Sequence, residues 1–241
     1  MANPDFGSVG AWTDQTTGTT LTLAAPASIA DGDILLAFIR YPGAEGTPPS
    51  LTGWALVDSI TSAFQGNHNS AIMWKRASSE SGSYAFTVNT GTSHGFVARF
   101  TSGIASGDPW TGTPNATTYS NDGGAGGTAS GSVTPAVDEA LMIYWLSAAD
   151  DATSAFTGGG LTWTERVDTK DTVDTFTSTH MATAPQATAG AVDGNCTVTT
   201  GGFRNAHLIA LAPAGGGGGG GTINAATIIP QLNRRKTGRF F

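Results

Sequence analysis

Gly91-Thr-Ser-His-Gly95 has the G-x-S-x-G spacing of a hydrolase nucleophile elbow. That chemistry needs the serine exposed on a sharp turn from strand into helix, over backbone N–H groups that hold an oxyanion. Phe96-Val-Ala-Arg-Phe100 follows and reads as another strand, so a hairpin turn is expected. His68, His94, His180 and His207 show no metal-ligand spacing among themselves and do not recur at matching places; polar loop or strand-face roles are expected. Asp168, Asp171 and Asp174 stand three apart and offer hard oxygens of the kind that collect Ca²⁺. No bidentate glutamate follows in an EF-hand register, which favours a solvated turn. Cys196 is the single cysteine, so neither an internal disulfide nor a cysteine metal cage can form; a half-buried strand thiol is expected. The run Gly215 to Gly221 matches a dinucleotide-binding glycine pattern trivially, without the flanking strand and helix, and no G-K-[ST] exists to cradle phosphate. These signals assign no catalytic residue, no metal ligand and no cofactor, and a non-enzymatic role is expected.

The elements that would carry such groups are strands. Gly (34) and Thr (36) dominate the 241 residues, and only 12% of the chain is charged. This composition favours short strands and tight turns. Alternation and turn punctuation predict strands at 9–12, 19–24, 33–40, 54–60, 71–77, 84–89 and 96–101, then at 116–119, 128–134, 140–147, 161–167, 175–184, 192–199 and 206–212. Gly- and Pro-rich clusters separate them, and no segment shows a sustained 3.6-residue apolar period. An antiparallel β-sandwich follows.

The same features occur twice, in the same order. Asp33-Ile-Leu-Leu-Ala-Phe-Ile39 is echoed by Glu139-Ala-Leu-Met-Ile-Tyr-Trp145, and Leu51-Thr-Gly-Trp-Ala-Leu-Val-Asp58 by Leu161-Thr-Trp-Thr-Glu-Arg-Val-Asp168. Phe86-Thr-Val88 matches Cys196-Thr-Val198, and Val97-Ala-Arg-Phe100 matches Leu208-Ile-Ala-Leu211. The offsets lie between about 106 and 111 residues. Two similar halves are read, about 1–107 and 108–214, within one sandwich body at 1–214. They either form two small sandwiches or interleave around a shared core. The short junction with Trp110, a residue expected to be buried, favours the shared core. Trp54 and Trp163 recur in the two halves, as core filler or as exposed platforms for sugar rings.

Beyond 214 the character changes. A glycine linker at 215–221 behaves as flexible coil. It leads to 222–241, which holds Arg234, Arg235, Lys236 and Arg239 and no acid, whereas 1–221 hold all 18 acidic residues and seven basic ones. Ile228, Ile229, Leu232, Phe240 and Phe241 are too few to fold alone but enough to dock. This extended C-terminal tail is expected to bind a partner through these apolar and basic residues, by strand addition or by filling a groove. An acidic body repels nucleic acid. No apolar run is long enough to cross a membrane as a helix. Residues 1–20 carry Asp5 and Asp14, no Lys or Arg and no apolar stretch, which is not the pattern of a secretory leader.

Gly-Asp-Ile-Leu-Leu (32–36), Leu-Thr-Gly-Trp (51–54), Trp-Lys-Arg-Ala (74–77), Gly-Ser-Tyr-Ala-Phe-Thr-Val (82–88), Gly-Asp-Pro-Trp (107–110) and Leu-Ile-Ala-Leu-Ala-Pro (208–213) together resemble a β-sandwich module that recurs in phage virion proteins and bacterial surface proteins. The resemblance covers about 1–213. It implies a jelly-roll-like sandwich with a binding or scaffolding role and no catalytic residue. The expectation is a phage virion structural protein, a head decoration or spike or a tail or fibre component. It would be made in the host cytoplasm, released by lysis, and partnered by other virion proteins and by copies of itself. The alternative is a carbohydrate-binding module or adhesin that recognises host-surface glycans.

Overall fold

The computed structural model describes residues 3–43, 47–61, 68–119, 125–148, 154–170, 177–200 and 202–215. Among them the chain is all-β and antiparallel. The strands are β1 (Asp5–Val9), β2 (Thr13–Gln15), β3 (Thr20–Ala24), β4 (Ile34–Tyr41), β5 (Ala55–Ile60), β6 (Asn69–Arg76), β7 (Ser83–Thr87) and β8 (Ser93–Thr101). They continue as β9 (Asn115–Tyr119), β10 (Ala125–Val133), β11 (Ala140–Ala148), β12 (Ser154–Thr157), β13 (Thr164–Lys170), β14 (Ser178–Gln186), β15 (Val192–Thr200) and β16 (Arg204–Leu211). The first strand lies earlier than the expected 9–12, and the three- and four-residue strands β2 and β12 were not expected.

One large sheet runs β1-β8-β4-β6-β5, with β2 also on β8; the other runs β13-β14-β11-β16-β9. Small sheets β3-β7 and β10-β15-β12 complete the set. Read from the far end, the second large sheet repeats the strand order of the first. The reason these segments take these places is visible in their patterning. Ile34–Tyr41 and Ala140–Ala148 are apolar on both faces and buried at every position, as central strands covered on two sides must be. Thr20–Ala24 and Ser83–Thr87 alternate exposed with buried, as a sheet with one wet face requires.

The result is a β-sandwich of four layers, small-large-large-small, with three cores. Leu21, Leu23, Leu35, Ala37, Ile39, Tyr84 and Phe86 fill the first half. Ala129, Met142, Tyr144, Leu146, Cys196 and Leu208 fill the second. Between the large sheets lies a central core that includes Ile34, Leu36, Phe38, Phe96, Trp110, Leu141, Ile143, Trp145 and Ile209. The two arrangements weighed from the sequence are therefore not exclusive: each half encloses a core, and a third joins them. Trp110, in the connection between halves, is 4% exposed, and its backbone bridges Leu211.

The faces correct one detail of the repeat. Ile34, Leu36 and Phe38 point into the central core, and so do Leu141, Ile143 and Trp145. Ile34 thus corresponds to Leu141, one residue later than the Asp33/Glu139 echo implies. A one-residue slip along a strand moves every side chain to the opposite face. β-Bulges add a second slip: Val57 is the extra residue of β5 and Arg166 that of β13. Asp58 and Asp168, although echoed in the sequence, therefore face different layers.

Candidate functional site: a buried histidine layer

All nine residues expected to bind a partner, Ile228, Ile229, Leu232, Arg234, Arg235, Lys236, Arg239, Phe240 and Phe241, lie outside the described residues, as do Asp171 and Asp174. The body presents a different concentration of chemistry. Toward the C-terminal ends of β4 and β11 the apolar pattern breaks into buried polar residues, among them Arg40, Asn69, Ser70, Ser147, Thr179 and Asn205. All four histidines belong to this region, three on strands as expected and His68 in the loop just before β6, and all are at most 4% exposed.

Three of them hold an aspartate at Nδ1. His94 donates to Asp14 at 2.8 Å and His207 to Asp58 at 3.1 Å, whereas His180 Nδ1 lies 3.1 Å from Asp168 Oδ1 at ion-pair distance. Trp12 also donates its indole N–H to Asp14 and lies flat against His94, with ring centroids 5.7 Å apart. His68 donates Nε2–H to the Ser147 carbonyl at 3.1 Å, which ties the halves together. Burial, reinforced by the nearby Arg40 charge, pushes the His68 pKa down to about 3. Asn205 donates across the same boundary to the His68 carbonyl at 2.7 Å.

Asp58, His207 and Ser70 form the most suggestive constellation. Nδ1–H of His207 faces Asp58, and its Nε2 accepts from Ser70 Oγ at 2.8 Å. Carboxylate, imidazole and hydroxyl stand in the order of a nucleophilic triad. Access is missing: Ser70 and His207 are both 0% exposed, and Trp145 stacks on the imidazole at 5.0 Å. A carbonyl carbon could not approach Ser70 Oγ. What the arrangement does is satisfy buried polar atoms across the halves, since an unpaired buried donor or acceptor costs about 1–3 kcal/mol.

The remaining expectations fall into place around this layer. Ser93 of the Gly-x-Ser-x-Gly segment is 0% exposed and opens β8 directly, so the segment leads into a strand and not into a helix. Cys196 is fully buried rather than half-buried, and burial lifts its thiol pKa to about 12, which leaves it un-nucleophilic near neutrality. Trp54 is core, set edge-on to Tyr84 and Phe86. Trp163 is partly buried against Tyr144 and donates to the Gly158 carbonyl. Trp12 and Trp74 are partly buried against the central core. Val9 is the exposed large hydrophobic residue among those described, so no aromatic platform for a sugar ring stands out there. Among the described residues no helix is long and apolar enough to cross a membrane.

At the opposite end, where β11 begins, Gly215 shares an open cleft with Asn3, Val137, Asp138 and Glu139. Gly215, the last described residue, thus stands beside two carboxylates.

Comparison with protein-family models, with curated proteins and with solved structures finds no match for this chain.

Proposed function

We propose that this chain is a non-enzymatic structural protein of a phage virion, a head decoration or spike or a tail or fibre component, whose sandwich is displayed and whose C-terminal peptide attaches it. The observation that carries the reading is the contrast at Gly215. Before it stands an acidic body whose apolar faces are already covered by its own three cores. After it come a glycine run and a basic, Ile- and Phe-containing peptide. A body with its apolar surface spent on itself has little left for docking, whereas the peptide carries both apolar anchors and charge opposite to an acidic surface. Like-charged copies of the body repel one another, which suits a displayed, soluble module.

Removing 215–241 and measuring incorporation into particles tests this. Loss of incorporation with an unchanged melting temperature supports the anchor, and undiminished incorporation removes it. The glycan-binding alternative is tested by a glycan array. Binding abolished by a single Trp→Ala change at Trp12, Trp74 or Trp163, each in a folded variant, would replace attachment by recognition as the main role.

A further inference from the structure

We propose that Glu165, Asp168 and His180 form a binding site for a divalent first-row transition-metal ion on the second half. This goes beyond the attachment role and does not depend on it. In a regular strand, residues three apart point to opposite faces. The bulge at Arg166 changes that: Glu165 pairs with Ala182 and Val167 with Met181, so Glu165 and Asp168 share a face. Arg166 and Val167 are turned to the other side, Arg166 over the Phe6 ring at 4.7 Å and Val167 onto the central core. The shared face is that of His180, which pairs with Asp168 in register.

One donor atom from each of the three residues lies within 4.8 Å of the others. Ligands about 2.0–2.2 Å from one ion lie no more than about 4.4 Å apart, a closure that rotation of the exposed carboxylates supplies. Asp168 Oδ1 and His180 Nδ1, 3.1 Å apart, already stand at the spacing of neighbouring ligands. The supports expected behind metal ligands are also present. Ser178 Oγ lies 2.9 Å from His180 Nε2, and as a hydroxyl it serves either tautomer: it donates while Nδ1–H faces Asp168, and accepts once Nδ1 gives up its proton to bind a metal. Ser154 of β12 donates to Glu165 at 2.7 Å. The ion would therefore clamp small-sheet strand β12, through Glu165, to β13 and β14 of the large sheet. One imidazole and two carboxylates select Zn²⁺, Co²⁺ or Mn²⁺ over Ca²⁺, which takes oxygen ligands only.

Titration calorimetry of the full chain with ZnCl₂, and the visible absorption of Co²⁺, test the site. The expected result is one ion per chain, a melting temperature that rises with Zn²⁺, and weaker binding as the solution is acidified. Glu165→Gln with Asp168→Asn, both exposed positions, should weaken binding by at least about tenfold while the unliganded chain still folds. His180→Gln, compared at matched folded fraction, should do the same. The proposal fails if the folded chain gives neither heat nor a Co²⁺ spectrum at millimolar metal. It fails equally if the double variant binds as tightly as the parent, or if Ca²⁺ binds as tightly as Zn²⁺ at these residues.

Discussion

The two halves of the molecule build the same sandwich with their bulk on opposite sheets. Aligned through their hydrogen-bonded pairs, Leu21–Phe86 and Leu23–Tyr84 of the first small sheet correspond to Ala129–Cys196 and Gly131–Gly194 of the second. Across the layer the exchange is reversed. Ala37 of the first large sheet corresponds to Tyr144 of the second, whose hydroxyl reaches across to the Ala129 carbonyl at 2.9 Å. A Cβ placed on Gly194 would lie 2.7 Å from the Tyr144 ring. At these aligned positions the large side chain changes sides between the halves. Close packing constrains the sum over facing positions, not each position.

A second contrast lies in the central layer. Phe38 stacks on Phe96 at 5.0 Å in the first half, and Trp145 stacks on His207 at 5.0 Å in the second. Phe38 and Trp145 then meet edge-on at 5.3 Å. Phe96 and His207 are thus equivalent, one apolar and the other in a polar relay.

The largest effect should come from the exchanged bulk. Tyr144→Ala is expected to destabilise by about 3–5 kcal/mol in chemical denaturation, because it removes a fully buried ring together with its edge contacts to Phe156 and Trp163 and its hydrogen bond to Ala129. Acidification comes next. His68 is held uncharged in the fold, with a pKa near 3 against 6.5 when exposed. The unfolded chain therefore binds the extra proton between those values, and stability falls as pH drops through that window, by about 1.4 kcal/mol per pH unit from this group. His68→Gln should flatten the slope by that amount; an unchanged slope would mean His68 is charged in the fold. Gly194→Ala should cost about 1–3 kcal/mol alone, from overpacking against the ring. In the Tyr144→Ala background it should cost much less, and a double-mutant cycle with no coupling would break the claim of exchanged volume. The smallest net change is expected from His207→Phe with Ser70→Ala. His207→Phe alone leaves Ser70 and Asp58 without their partner, a loss of about 1–3 kcal/mol, part of which Ser70→Ala should return.

Much of this architecture was legible. Alternation marks the small-sheet strands, continuous apolar runs mark the central ones, and the doubled order of motifs foreshadows the doubled strand order. The phase of the β4/β11 echo was not legible, because a strand apolar on both faces carries no alternation to set it. Bulges at Val57 and Arg166 leave no distinctive residue type behind. The histidine layer was hidden for another reason. Asp58 and His207 are 149 residues apart, and only the pairing of two large sheets brings them together. Asp168 reads with Asp171 and Asp174 as a solvated turn, and only the bulge at Arg166 puts it on one side of β13 with Glu165.

The edge-on meeting of Phe38 with Trp145 has a wider consequence. When a position touches its own counterpart, the surface is self-complementary, which is the hallmark of an isologous dimer. A single half cut free would present that face to water and should associate with a twin. Covalent fusion makes the twofold pairing obligatory at any concentration, and it releases the two copies from identity, so that one can keep a phenyl ring where the other acquires an imidazole.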